Sequence, residues 1–131
     1  MRPTQHSQLD GRIRLVVADD RQRSRRALRA LFGTCPDLLV VGEASNGAEA
    51  IELVARTQPD VAIMDLRMPL VDGLQATARI RRQWPRVRVL ILSLAVEARA
   101  EALTVGADAF VAKGDPEDLL LETIRDLARA R

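Results

Sequence analysis

Five short apolar runs alternate with amphipathic segments of helical length, and this alternation constrains the fold of the chain more than any other feature. The runs are rich in Val, Ile and Leu and are apolar on both faces, which is typical of strands in a sheet that helices cover on both sides. They cover residues 13–18, 38–44, 61–65, 87–93 and 109–113. We therefore predict five buried strands.

The segment after each run carries start or stop signals of a helix. Asn46, with Glu49 three residues later, forms a capping-box pattern. Asp115 as a cap, with Pro116 at the first helical position, predicts the start of the last helix. The predicted helices cover residues 23–32, 46–57, 73–84, 97–106 and 115–130.

Strands that alternate with helices require a parallel sheet with right-handed crossovers, and five such units predict a doubly wound α/β sandwich of three layers. In folds of this kind the functional site lies beyond the carboxyl ends of the strands, where the strand order reverses. The chain has 131 residues with 47% apolar content, which is enough for one domain with a sizeable core.

Composition excludes several classes of protein. Cys35 is the only cysteine and His6 the only histidine, so neither an internal disulfide nor a Cys/His metal cluster can form. Aromatic residues make up 2% of the chain, too few for a single-strand nucleic-acid platform. The sequence has neither an apolar run of about 18 residues nor a secretory signal. We expect a cytoplasmic protein that makes no membrane contact.

Polar side chains stand at the ends of four predicted strands. Asp19 and Asp20 follow the first strand, Asp65 ends the third, Ser93 the fourth and Lys113 the fifth. One acid at a strand end is often a helix cap or a turn residue. Three carboxylates at one edge, however, repel each other unless a cation lies among them. Mg²⁺ takes oxygen ligands, commonly one or two carboxylates and a phosphate, so we predict a Mg²⁺ site here.

These residues and their spacing resemble the receiver domains of bacterial two-component response regulators. The motifs that carry the resemblance are "VVADD", "DLRMPLVDG", "ILS" and "FVAK", in that order. The resemblance extends from about residue 12 to residue 129, and it implies a flavodoxin-like sheet with strand order 2-1-3-4-5. It also implies a flexible tail at residues 1–11 and a receiver domain at 12–131. "VVGEASNGAEAIEL" and "GADAFVAKG" are similar to the branch with C-terminal helix-turn-helix (LuxR-type) output domains.

The resemblance implies a chemistry for the acidic edge. Asp65 would accept a phosphoryl group from a phosphohistidine on a sensor histidine kinase. Mg²⁺ would be held by Asp20, Asp65 and the backbone carbonyl of Arg67, with Asp19 assisting through water. The chain would then be a phosphoacceptor that takes part in its own phosphorylation and dephosphorylation, not a turnover enzyme.

The resemblance also implies a conformational switch. Lys113 would pair with the acylphosphate, and the Ser93 hydroxyl would hydrogen-bond one of its oxygens. Phe110, three residues before the lysine, would turn inward in response, although core packing alone also explains an aromatic residue there. Leu94 is bulkier than the small residue common after this serine, which would narrow access. Gly114 replaces the proline that commonly follows the lysine, which leaves the geometry of that loop open.

Two surfaces suggest partners. Arg25, Arg26 and Arg29 are predicted on the solvent side of the first helix, either as a solvated basic face or as a docking surface for an acidic patch on a kinase. Leu119 and Leu121 on the last helix offer apolar surface for a homodimer on phosphorylation. The isolated domain should be mainly monomeric or weakly dimeric, and it would reach DNA only through an output domain not present in this chain.

Other functions remain open at this point. Haloacid-dehalogenase-like phosphohydrolases have a second Asp two residues after the nucleophile, but Arg67 occupies that position here. A flavin-binding flavodoxin-like module is disfavoured, because no Ser/Thr/Gly-rich phosphate loop follows the first strand. A receiver that is not phosphorylated and serves as a protein-interaction module is a further alternative. The receiver would be either stand-alone or a piece of a longer transcription regulator.

Overall fold

The computed structural model describes residues 11–130, which form a three-layer α/β sandwich. Five parallel strands make one sheet in the order β2-β1-β3-β4-β5. The strands are β1 (Ile13–Ala18), β2 (Leu38–Ala44), β3 (Val61–Met64), β4 (Arg88–Ser93) and β5 (Ala109–Ala112). The helices are α1 (Gln22–Gly33), α2 (Gly47–Thr57), α3 (Gly73–Gln83), α4 (Arg99–Thr104) and α5 (Glu117–Arg129). The predicted fold class and strand order are confirmed.

Alternate residues of each strand face opposite layers, which explains why the strands are apolar on both faces. In β1, Val16 belongs to a core cluster that includes residues of α2, α3 and α4, while Leu15 and Val17 belong to a second cluster that includes residues of α1 and α5. Both core clusters are almost fully excluded from solvent. The sheet is therefore a rigid platform for the loops at its carboxyl edge. Within residues 11–130, no helix combines the length and apolar content needed to cross a membrane.

The predicted N-cap of α2 by Asn46 is present, but the Glu49 side chain does not complete the capping box. The Asn46 side chain accepts a hydrogen bond from the backbone N–H of Glu49 at 2.8 Å. The Glu49 carboxylate accepts from the N–H and the hydroxyl of Ser45, both at 2.8 Å, rather than from the N–H of Asn46. These hydrogen bonds hold the pKa of Glu49 below its usual value.

The predicted start of the last helix is wrong by one residue. Helix α5 begins at Glu117, and Pro116 occupies the N-cap position without a side-chain cap. Asp115 instead accepts a hydrogen bond from the backbone N–H of Ala112 at 3.1 Å. The acid closes the turn that follows β5, so it is not available to cap the helix.

Several predicted segments are also longer than the observed elements. Strands β3 and β5 end at Met64 and Ala112, so Asp65 and Lys113 are the first residues beyond them. A 3₁₀ turn at Val96–Ala98 precedes the short helix α4. The predicted domain boundaries stay predictions, since residues 1–10 and 131 lie outside the described part of the chain.

Candidate functional site

The carboxyl edge of the sheet brings three aspartates together where the strand order reverses between β1 and β3. Asp19 and Asp20 follow β1, and Asp65 follows β3. One carboxylate oxygen from each lies within 4.8 Å of the others. Asp19 and Asp65 are buried, whereas Asp20 is exposed. The structure thus assembles the acidic cluster that the sequence predicts.

Lys113 supplies a fixed positive charge inside this cluster. Its ammonium group donates hydrogen bonds to Oδ2 of Asp19 at 2.9 Å and to Oδ2 of Asp65 at 3.0 Å. Burial acts to lower the pKa of Lys113, but hydrogen bonds and charges from the two aspartates outweigh it, so the pKa is raised. The lysine is therefore held charged between two buried acids.

Asp65 is held rigidly by backbone groups on both sides. Its Oδ1 accepts a hydrogen bond from the N–H of Leu66 at 2.7 Å, and its own N–H donates to the carbonyl of Ala18 at 2.9 Å. The start of α3 packs directly on this loop, since a Cβ added at Gly73 would lie 2.2 Å from the carbonyl oxygen of Asp65. Only glycine permits this close approach.

Asp19 and Asp20 differ in whether their carboxylate oxygens have hydrogen-bond partners. Both carboxylate oxygens of Asp19 are engaged, Oδ1 by the N–H of Arg21 at 2.9 Å and Oδ2 by Lys113. The Asp20 carboxylate forms no hydrogen bond or ion pair with residues 11–130. An exposed carboxylate beside a buried one forms an all-oxygen donor set, which suits a hard cation such as Mg²⁺ better than a transition metal.

A cavity of about 110 Å³ opens over the cluster. Its lining includes Asp20, Asp65, Arg67, Ser93, Leu94 and Lys113. Leu94 is 66% exposed at this rim, and its narrowing of access stays a prediction. The Ser93 side chain is buried, and its Oγ accepts a hydrogen bond from the N–H of Ala95 at 3.1 Å.

Arg67 lines the cavity, but its side chain extends across the rim. The guanidinium lies 3.3 Å from Oε2 of Glu97, and both side chains are largely exposed. Solvent screens such a pair, so it contributes little to stability.

Phe110 packs in the core and is 6% exposed. The guanidinium of Arg99 lies over its ring, 5.8 Å from the centroid, which is within the range of a cation–π contact. The switch roles of Phe110 and Ser93 stay predictions. The peptide bond between Lys113 and Gly114 is trans, as are all others in the described chain.

The prediction that Arg25 faces solvent is wrong. Its Nη1 donates to the carbonyl of Asp19 at 2.7 Å, and its Nε donates to Oε1 of Glu43 at 3.1 Å. Arg26 is exposed, as predicted, and Arg29 pairs with the other oxygen of Glu43 at 2.7 Å. An acid near the end of the otherwise apolar β2, the neighbour of β1, was the available signal for this contact.

Comparison with known proteins decides the family. Residues 15–125 match the response regulator receiver domain. The chain belongs to this family. The transcriptional regulatory protein YhcZ of Bacillus subtilis is 38% identical over 111 residues, which are 82% of this chain and 52% of that protein. The nitrate/nitrite response regulator NarL of Escherichia coli is 37% identical over 109 residues, which are 81% of this chain and 50% of that protein.

Solved receiver domains have the same fold. The signal receiver domain of NarL from Mycobacterium tuberculosis superposes with a TM-score of 0.86 at 34% identity, covering 92% of this chain and 98% of that one. This receiver domain is thus related to LuxR-type transcription regulators, and it spans about half the length of YhcZ and NarL. Receiver domains are phosphoacceptors that bind Mg²⁺ at an acidic pocket, and this chain has an aspartate cluster of that kind.

Proposed function

We propose that this receiver domain accepts a phosphoryl group on Asp65 from the phosphohistidine of a sensor histidine kinase. The observation that carries the proposal is the placement of Asp65 beside Lys113 and two further aspartates under an open cavity. Asp65 is buried and held by backbone hydrogen bonds, so it presents its carboxylate in one orientation. Such positioning, together with electrostatic stabilisation, supplies most of the catalysis in phosphoryl transfer.

In this proposal Asp20, Asp65 and the backbone carbonyl of Arg67 hold Mg²⁺, and Asp19 assists through water. When bound, the cation offsets the repulsion between the Asp65 carboxylate and the phosphoryl oxygens. An oxygen of Asp65 forms a bond to phosphorus as the bond from phosphorus to the histidine nitrogen breaks, and the imidazole keeps the electron pair. The product is an acylphosphate on Asp65.

The switch uses groups that already have partners in this structure. Lys113 now donates to Asp65, and it would donate to the phosphoryl oxygens of the product. The Ser93 hydroxyl now accepts from the N–H of Ala95, and it would donate to a phosphoryl oxygen. Ser93 would thereby move the loop that leads into α4, and Phe110 would adjust with it.

The output of this switch is inferred from relatives. YhcZ and DegU of Brevibacillus brevis are named transcriptional regulatory proteins, and this chain spans about half of each. We infer that the phosphorylated domain controls transcription in the cytoplasm through a DNA-binding domain outside this chain. Leu119 is exposed and Leu121 half-buried on α5, which supports a homodimer formed on phosphorylation.

Incubation of the full chain with acetyl phosphate and Mg²⁺ tests the proposal. Intact-mass spectrometry should show one phosphoryl group that hydroxylamine removes, and EDTA should prevent its formation. Asp65→Asn should abolish the adduct because an amide is a poor nucleophile. Asp118→Asn, at an exposed position on α5, is the matched control and should be modified normally.

One outcome favours the alternative. Wild-type protein that binds Mg²⁺ but stays unmodified with both acetyl phosphate and a phosphorylated kinase would serve as an interaction module instead.

A further inference from the structure

Arg25 connects the acidic cluster to the edge strand of the sheet. Its side chain is 17% exposed, although Arg23 and Arg26 beside it in the first turn of the helix are exposed. One nitrogen of its guanidinium donates to the carbonyl of Asp19, and another donates to Glu43 on β2. Glu43 is held on its second oxygen by Arg29. The fork of an arginine suits this double contact, which a lysine cannot reproduce.

These contacts complete the hydrogen bonding of Asp19. Its N–H donates to the carbonyl of Ala44 at 3.0 Å, and its carboxylate is engaged by Arg21 and Lys113. Arg25 occupies the one remaining polar group, the carbonyl oxygen, at 2.7 Å. Every polar atom of Asp19 is thus bonded, and β1 is fixed in direction up to this residue.

The fixed carbonyl of Asp19 determines how the next residue, Asp20, is placed. The carbonyl of Asp19 belongs to the planar peptide unit that leads into Asp20, so its orientation sets the direction in which Asp20 leaves the strand. The Asp20 carboxylate is exposed and forms no hydrogen bond or ion pair within residues 11–130 that could orient it. Its position relative to Asp65 therefore depends on the backbone alone. Mg²⁺ demands nearly ideal octahedral geometry, so an error in that position weakens binding.

We infer that Arg25 and Glu43 form a positioning pair, which fixes the Asp19–Asp20 peptide so that Asp20 meets the Mg²⁺ of the proposed site. The inference rests on the proposed function, because it assigns a role to these residues in that same site. Neither residue touches the reacting atoms. Substitution of residues that orient metal ligands through hydrogen bonds, without binding the metal themselves, commonly lowers metal affinity.

Charge gives the inference a sharp test, because positioning and simple electrostatics predict opposite signs. Arg25 is a cation close to a cation site. If it acted only through its charge, its removal would lower repulsion and tighten Mg²⁺ binding. If it positions Asp20, its removal weakens Mg²⁺ binding despite the lost repulsion.

The experiment is titration calorimetry of Mg²⁺ into the full chain, with circular dichroism to check the fold of each variant. Arg25→Gln should raise the Kd for Mg²⁺ by about tenfold or more. Arg26→Gln removes the same charge at the adjacent exposed position, and its Kd should be unchanged or slightly lower. Arg25→Lys keeps the charge but loses the fork, so it should also raise the Kd.

A second measurement separates positioning from a general structural role. The Mg²⁺ concentration for half-maximal phosphorylation by acetyl phosphate should rise in Arg25→Gln, while the rate at saturating Mg²⁺ returns to the wild-type value. The inference is overturned if Arg25→Gln binds Mg²⁺ as tightly as Arg26→Gln does, or more tightly. It is also overturned if Arg25→Gln has an unchanged Kd for Mg²⁺ but a lower phosphorylation rate at saturating Mg²⁺. If Arg25→Gln fails to fold, Arg25→Lys decides by the same criteria. Wild-type protein that binds no Mg²⁺ overturns the proposed metal site itself.

Discussion

The ammonium group of Lys113 lies 3.0 Å from Oδ2 of Asp65, and it also lies 2.9 Å from Oδ2 of Asp19. This one side chain joins the loop after β5 to the loops after β3 and β1. Both acids are buried, so they would repel each other without a positive charge between them. The lysine thus stabilises a site that is otherwise poorly compatible with folding.

We expect the wild-type chain in EDTA to lose stability at alkaline pH more steeply than Lys113→Met. Burial acts to lower the pKa of Lys113, but the hydrogen bonds that it donates to Asp19 and Asp65, together with the charges of these acids, outweigh burial, and the net pKa is raised. Its contribution is therefore complete below the unfolded pKa of about 10.4 and is lost as pH rises through the folded pKa. Urea unfolding across this pH window measures the difference. Parallel pH profiles for the two proteins would show that Lys113 contributes nothing through its charge.

We also expect Mg²⁺ to stabilise Lys113→Met more than it stabilises the wild type. The substitution leaves Asp19 and Asp65 without their shared cation, so a bound divalent ion would relieve a larger repulsion. Melting temperatures with and without Mg²⁺ test this. Asp65→Asn is the control, because it removes the charge of one acid and should show a smaller Mg²⁺ effect than either protein. An equal Mg²⁺ increment in wild type and Lys113→Met would contradict this prediction.

Gly73→Ala should be strongly destabilising. The added Cβ would lie 2.2 Å from the carbonyl oxygen of Asp65 and 2.6 Å from the Cα of Leu66, both of them backbone atoms. We expect a loss of about 3 kcal/mol or more in the free energy of unfolding. Gly33→Ala is the matched control at the end of α1, where a Cβ meets nothing within 4 Å. It should change stability by less than about 1 kcal/mol, in the stabilising direction. Similar losses for both would refute the close approach of α3.

The strands and the convergence of the acids were predictable from the sequence because they depend on local patterns, whereas the strand order followed only from the resemblance to receiver domains. Apolar runs identify buried strands, and parallel strands bring their carboxyl ends to one edge. Asp20, Asp65 and Lys113 therefore met as predicted. The start of the last helix was not predictable, since Asp115 has two possible backbone partners and bonds Ala112 rather than the helix.

The position of Arg25 was also not predictable from sequence patterns. Helical periodicity assigns an arginine to the solvent face, because it weighs only the polarity of the side chain. The actual position depends on Glu43, which lies 18 residues later on another element. A charge that finds a partner across two elements leaves no periodic signal in the chain. The hydrogen bond from the N–H of Ala95 to Ser93 Oγ was likewise not predictable, because it depends on the conformation of the loop after β4.

Leu94→Ala should speed phosphorylation of Asp65. Leu94 lines the cavity and is 66% exposed, so its side chain restricts the approach of a phosphodonor without supporting the core. We expect a larger gain with a phosphorylated kinase than with acetyl phosphate, because the protein donor is bulkier. Rates from intact-mass spectrometry measure this. Val96→Ala, 57% exposed but outside the cavity lining, should leave both rates unchanged. Equal phosphorylation rates for Leu94→Ala and wild type would show that the Leu94 side chain does not restrict the phosphodonor.

Phe110 should report the switch directly, because the chain contains only one other phenylalanine, Phe32. Phe110 packs under α4 with Arg99 over its ring, whereas Phe32 is buried in the core cluster on the other face of the sheet. Chains labelled with 4-fluorophenylalanine should therefore give two ¹⁹F signals, which Phe110→Leu assigns. Addition of acetyl phosphate and Mg²⁺ should shift the Phe110 signal and leave that of Phe32 in place. In Asp65→Asn neither signal should move. A fully phosphorylated chain whose Phe110 signal stays fixed would leave Phe110 with a packing role alone, and the switch would have to act through Ser93 and Lys113 without it.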